Sequence, residues 1–417
     1  LHLAADCADL PIMLRAYYAY KRGLPHLITQ VDGSRYGRRP NKTIRTFDSY
    51  AYQGDPQAYF DFVPDVVHTG TYRTAPNATD SLTYPLKVGP EFVRPGAIFY
   101  SPEGHVAVVA DVRPDGTVFL LDAHPDQTIT RIRFSPKLKW QSSNQSGGFK
   151  QFRSLSANIF GEVNLDPRNN RQAGYSTEQY YFGPAYYETV QNRLGTGKVD
   201  PIESLRNYIR QDIYAELSDR VNSVELSWKV GQEQAIEVPS NIYQAEGDWE
   251  SYSSPSRDIR LRRALLYLPN EIRRLMRLRK EQPQRLTRRY SSAERMGELL
   301  LAEKEKLFRV LEIEYRNSRG GKVSVSLDAI EGRLFRLSFD PNHPPELRWG
   351  ATGRELATAT RNLPRYFEDY AAQQPWRNRL EKKVGPMSVS DFDNPRSPPA
   401  HNLSHEIRLI IEDAKSW

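Results

Sequence analysis

A single cysteine in 417 residues confines any thiol chemistry to one position, Cys7. It stands where a helix is expected to begin. From Cys7 to Arg22, Leu10, Leu14, Tyr17, Tyr18 and Lys21 recur at three- and four-residue steps, the spacing of one helical face. Pro11 fits a first turn, where backbone N–H groups lack partners anyway, while Gly23 and Pro25 mark the end. The positive end of a helix macrodipole favours thiolate, the nucleophilic form of sulfur. Such a nucleophile needs a general base and a third group to orient that base.

His105 and Asp122 supply both roles. His105 opens the apolar run His105–Val112, and Thr117–Leu121 follows the tight-turn sequence Arg113-Pro114-Asp115-Gly116, which predicts a hairpin. Pairing Val112 with Thr117 sets Asp122 opposite Ala107 and His124 opposite His105, so that His105, Asp122 and His124 share a face. Cys7 then attacks a carbonyl, His105 carries the proton, and Asp122 fixes the ring tautomer and supports its positive charge. His124 is the alternative third residue, and His68 is a rival base without a strand start beside it. An inert small cysteine is the plain alternative.

These residues need elements to hold them. Pro95-Gly96 turns the chain into a strand at Ala97–Tyr100. The stretch from Asp32 to Val93 reads as a long irregular insertion whose aromatics (Tyr36, Tyr50, Tyr52, Tyr59, Phe60, Phe62, Tyr72, Tyr84) pack it onto the domain or wall a groove. Three regions are expected: 1–156, a Tyr-rich accessory segment over 157–250, and 251–417. The second holds a helix near Pro201–Asn222. The third is a basic helical hairpin, Arg257–Arg319, split near Pro283 and Ser291-Ser292. Two short strands, Lys322–Leu327 and Arg333–Phe339, a loop-like tail over Pro386–Pro399, and a helix from Ser404 complete it.

The nucleophile segment resembles known families. Asp6-Cys7-Ala8-Asp9-Leu10, then Leu14-Arg15-Ala16 and Gly23-Leu24-Pro25, resembles the nucleophile helix of transglutaminase-like cysteine proteins. It is also similar to the Asp-Cys-Ser-Gly-Leu start of NlpC-type cell-wall peptidases, with Ala8-Asp9 in place of Ser-Gly. Arg94-Pro95-Gly96-Ala97-Ile98-Phe99-Tyr100 and Gly104-His105-Val106-Ala107-Val108-Val109 look like the NlpC strand and its Gly-His-Val. Leu121-Asp122-Ala123 falls where both families carry a third polar residue. The resemblance covers about 125 of the 417 residues.

The resemblance implies an α+β fold in which a papain-like N-terminal domain, a nucleophile helix packed on an antiparallel sheet, precedes a mostly helical region. It implies a cysteine hydrolase or acyl transferase acting on an amide bond through Cys7, His105 and Asp122. The substrate would be a peptide or peptidoglycan-like polymer, no cofactor is required, and the setting is bacterial and extracytoplasmic, periplasmic or secreted. A non-catalytic scaffold of the same fold, binding a protein or an anionic polymer, is the second reading.

Composition bounds the rest. Hydrophobic residues make up 39%, charged residues 26% and aromatics 11%, with mean hydropathy −0.66, a globular balance. No apolar run approaches the ~20 residues of a membrane-spanning helix. The chain starts at Leu1 without a signal peptide and reads as trimmed. One cysteine excludes an internal disulfide and a cysteine-based zinc site. His401 and His405 with Glu406 lack a third ligand and read as surface residues, so no metal is expected. Net charge is +7, yet Arg257–Arg319 alone holds 18 basic and 9 acidic residues. Arg273, Arg274 and Arg277 are its candidate contacts to an anionic polymer. Nucleic acid is disfavoured, since no zinc-finger or RNP signature accompanies them. No phosphate-binding glycine motif points to a nucleotide.

Overall fold

Pro11 decides where the first helix becomes regular. It has no N–H to give the Cys7 carbonyl, so the continuous helix α1 runs Asp9–Arg22, two residues later than the spacing predicts. The turn before it is already helical: Leu10 N donates to Asp6 O at 3.1 Å. Asp6 Oδ1 accepts from the N–H groups of Ala8 (2.7 Å) and Asp9 (3.2 Å), and Asp9 Oδ2 accepts from Asp6 N (3.3 Å), a reciprocal capping pair. Gly23 ends the helix with φ +62°, as its sequence implies. The buried face is different from the predicted one. Ile12, Met13, Ala16 and Ala19 face the core, whereas Leu14, Tyr17 and Tyr18 are 40%, 39% and 59% exposed. Small alanines let the helix sit close on its support, which bulky tyrosines would prevent.

The computed structural model describes residues 5–33, 37, 39–49, 55–102, 104–124, 129–138, 140, 143–160, 162–234, 236–237, 239, 247–252, 255–338, 340–359 and 402–416. Tyr36, Tyr50, Tyr52, His401 and the Pro386–Pro399 tail lie outside them. The chain is an α+β protein with antiparallel sheets, divided into units Leu1–Gly197 and Lys198–Trp417. Residues 157–197 thus fall in the first unit and 198–250 in the second.

In the first unit the 32–93 stretch is not irregular. After β1 (Leu27–Val31) it forms β2 (Thr43–Asp48), paired with β1, then α2 (Pro56–Val66) and β3 (Thr83–Pro85). Its prolines conceal α2 from a reading by breakers. Pro56 occupies the first turn behind the Asp55 cap, and Pro64 sits in the last turn. Tyr59, Phe60, Tyr72 and Tyr84 are all buried, so these aromatics pack the stretch onto the unit.

The remaining strands are β4 (Ile98–Ser101), β5 (His105–Val112), β6 (Val118–Ala123), β7 (Ile129–Arg133), β8 (Gly148–Phe152), β9 (Leu155–Ala157) and β10 (Val163–Leu165). Five of them join β3 in one antiparallel sheet, in the order β3-β8-β4-β5-β6-β7. Alternation gives the sheet two apolar faces. Ile98, Tyr100, Val106 and Val108 pack with α1 and α2, while Phe99, Val109, Leu120 and Phe149 join an aromatic cluster with Tyr186 of α3 (Tyr186–Leu194).

The hairpin register carries two offsets that cancel. Val112 pairs with Val118, one residue beyond the predicted Thr117. A bulge between Val109 and Asp111 absorbs that residue, so Val108 pairs with Leu121 as the sequence count requires. Continuing that register sets Ala107 opposite Asp122.

The second unit begins with α4 (Pro201–Tyr208), a π turn over Ile209–Tyr214, and α5 (Ala215–Glu233). It continues with α6 (Gly247–Ser251), α7 (Pro255–Leu266), α8 (Leu268–Glu281) and α9 (Ala293–Val310). The predicted hairpin is therefore three helices, since Pro269 opens a new first turn after Tyr267. The strand before Lys322 was also missed: β11 (Glu312–Arg316) pairs with β12 (Lys322–Ser326). The described part of the predicted strand Arg333–Phe339, residues 333–338, is not extended into one. Ser326 caps α10 (Leu327–Arg333), which runs on into a 3-10 turn at Leu334–Arg336. Short helices α11 (Pro345–Arg348) and α12 (Gly353–Ala357) precede α13 (Leu403–Ala414). Among the described residues no helix is long and apolar enough to cross a membrane.

Candidate active site

Cys7 lies in the capped turn that leads into α1, and His105 is the first residue of β5. The two side chains come close enough to interact electrostatically, although 97 intervening residues separate them in sequence. His105 Nε2 stands 2.8 Å from Asp122 Oδ1, which leaves Nδ1 as the nitrogen for the sulfur. Asp122 is nearly buried and His105 keeps 31% of its side chain exposed, so the pair opens to solvent on the imidazole side. Burial alone would pull the charged ring down. The charge and hydrogen bond of Asp122, and then those of Cys7, outweigh it and hold His105 well above the usual histidine range. The protonated form of the ring is thereby favoured.

His124 lies on the far side of Asp122. Its Nε2 is 3.0 Å from Thr130 Oγ1 and 3.8 Å from Asp122 Oδ2. The orienting contact to His105 thus comes from Asp122. His68 is occupied elsewhere: its Nδ1 accepts from Gly70 N at 3.1 Å and caps the 3-10 turn Thr69–Tyr72.

That turn carries a residue whose role the sequence does not announce. Tyr72 is fully buried and its hydroxyl donates to Ala8 O at 2.6 Å, holding the peptide next to the nucleophile. Lys150 of β8, also buried, donates from Nζ to Tyr72 O (2.7 Å) and to Ser146 Oγ (2.8 Å). Ser146 adopts φ +55°, a left-handed conformation costly for a residue with a side chain. These contacts span 64 and 78 positions, so no local pattern could reveal them.

Burial pushes Lys150 down from 10.5 to about 7. Between those values the unfolded chain binds a proton that the folded chain does not. Stability therefore rises with pH from about 7 to about 10, by at most ~1.4 kcal/mol per pH unit. Lys150→Met removes this contribution. The difference in melting temperature between wild type and variant should change steadily over that window in thermal scans; parallel curves would contradict it.

The second unit holds a cluster that imitates a triad. Ser338 Oγ is 2.6 Å from His343 Nδ1, and His343 Nε2 is 3.6 Å from Asp340 Oδ2. All three are at most 2% exposed and belong to one short loop, so they serve its packing. The basic helices are likewise turned partly inward. Arg274 is 1% exposed and donates to both oxygens of Glu271 (2.9 and 2.7 Å) and to Ser204 Oγ (2.9 Å). Arg273 bonds Asn270 and is half-buried, as is Arg277. Breaking a buried pair strands the other charge, so Arg274→Ala should destabilise the unit by about 3–5 kcal/mol in denaturant titrations. An unchanged midpoint would contradict that placement.

Among the described residues, no group of three or more His, Cys, Asp or Glu is placed to hold a metal ion. No family model matches the chain, and comparison with curated proteins and with solved structures gives no match.

Proposed function

We propose that the first unit is a papain-like cysteine hydrolase or acyl transferase acting on an amide or peptide bond. The observation that carries this reading is the chain of contacts from Cys7 to His105 to Asp122. Each member has the chemistry its position demands. The Cys7 sulfur attacks the carbonyl carbon, giving a tetrahedral oxyanion for which the backbone N–H of Cys7 is one donor. His105 gives its proton to the leaving nitrogen as the C–N bond breaks, and a thioester remains on Cys7. Water, or an acceptor amine, then attacks the thioester. His105 takes the proton from that nucleophile, and the sulfur leaves as thiolate.

The resemblance to NlpC-type and transglutaminase-like sequences extends the reading to a peptide substrate, in particular a cell-wall peptide, handled outside the bacterial cytoplasm. Asp6 and Asp9 bear on this chemistry too. Their carboxylates accept the N–H groups of the turn that carries Cys7 and so fix the backbone around the nucleophile.

The test is acyl trapping. Incubation with an activated acyl ester, quenched in acid before the thioester turns over, should give one acyl adduct on Cys7, absent from Cys7→Ser, because the chain has one cysteine. Acylation elsewhere, or none at all, would remove the proposal.

A further inference from the structure

A second site is built into the Lys198–Trp417 unit. A groove of about 660 Å³ runs between α4, the loop over residues 288–291 and the first four turns of α9. Five cationic side chains line it: Arg206, Arg288, Arg289, Arg295 and Lys306, against a single carboxylate, Glu303. Glu303 pairs most closely with Arg206, whose Nε is 2.7 Å from its Oε1, and its charge also reaches Lys306. Arg288 and Arg295 keep loose pairs at 3.4 Å, with Asp200 and Glu298, and are 67% and 59% exposed. Surface pairs of that kind contribute little and are readily exchanged for a better anion. No ion pair engages Arg289 or Lys306 among the described residues.

The floor adds a second, independent observation. Ile202 and Leu299 give it an apolar surface, and the Tyr290 ring lies among them. The Tyr290 hydroxyl is buried without a hydrogen-bond partner among the described residues. A buried donor left in that state costs free energy until an acceptor arrives. Burial, and then the charge of Asp200, hold that phenol above its usual range despite Arg288, so it stays protonated and able to donate.

We propose that this groove binds the phosphate group of a small phosphate ester. Guanidinium groups from separate elements suit a dianion that can accept several charge-assisted hydrogen bonds at once. The apolar floor, the Tyr290 ring included, takes the carbon part of the ester. The site is distinct from Arg273, Arg274 and Arg277, and it does not depend on the reading of Cys7.

The experiment is calorimetric titration of the full chain with phenyl phosphate, with inorganic phosphate and sulfate as separate arms. Saturable, salt-sensitive binding is expected, tighter for the ester than for either inorganic anion. Arg289→Glu and Lys306→Glu, both at exposed positions, should each weaken it by about tenfold or more. Lys280→Glu, exposed on α8 outside the groove, should leave it unchanged. Absent binding, equal loss in Lys280→Glu, or equal affinity for inorganic phosphate would each overturn the assignment.

Discussion

His105→Ala is expected to slow acylation of Cys7 by about 10²–10⁴-fold, the range of a positioned acid–base group. The size follows from the setting of the sulfur. Asp6 and Asp9 spend their carboxylates on the N–H groups of the turn itself and donate no proton to the sulfur. The imidazole is the acid–base group beside the sulfur, and its removal leaves proton transfer to water. Rates of adduct formation, followed by intact mass, provide the check. Folding should be little affected, because His105 stands at a strand start with a third of its side chain in solvent. A variant that folds normally and acylates at the wild-type rate would show that the base is elsewhere.

The second large effect belongs to Asp122. Asp122→Ala should cost amide turnover by about 10²-fold or more, since the ring loses both its orienting contact and its counter-charge. Asp122→Asn separates the two contributions. An amide oxygen still accepts from Nε2, so orientation and much of the rate should return. Counter-charge does not return. Burial already lowers His105, and Asp122 is the largest influence holding it well above the usual range. Without that charge the ring loses its proton at lower pH, and the alkaline limb of the pH–rate profile moves toward neutrality. A purely structural role for Asp122 predicts lower rates with an unmoved limb.

Much of this site was legible because its signals are local. Gly23 and Pro25 end α1 where the sequence says they should, and Arg113-Pro114-Asp115-Gly116 forms its hairpin turn, with Arg113 N bonded to Thr117 O at 2.8 Å. The bulge at Ala110 was not legible, yet it corrected a one-residue error in the turn and restored the count at Asp122. Contacts made at long range were hidden. Tyr72 is one aromatic among many until it meets Ala8, and Lys150 reads as an ordinary surface lysine until the sheet closes over it.

Charge misled in the same way. A periodicity argument assigns arginines to the solvent face, but Arg220 pairs with Asp258 at 2.9 Å inside the second unit, and Lys304 with Glu331 at 2.7 Å. Sequence shows the cations of α7–α9 without the acids that fold against them. The α1 face failed for a related reason. Its tyrosines repeat with helical spacing, while close approach to the sheet selects Ala16 and Ala19.

The most direct measurement is the iodoacetamide alkylation rate of Cys7 from pH 5 to 9, in the folded chain and in the same chain unfolded in denaturant. One cysteine makes the mass shift unambiguous. A thiolate paired with the His105 imidazolium predicts rapid alkylation of the folded chain at pH 5–6, where the unfolded chain barely reacts. A folded chain that tracks the unfolded one, or reacts more slowly at every pH, would contradict the pairing and the chemistry built on it.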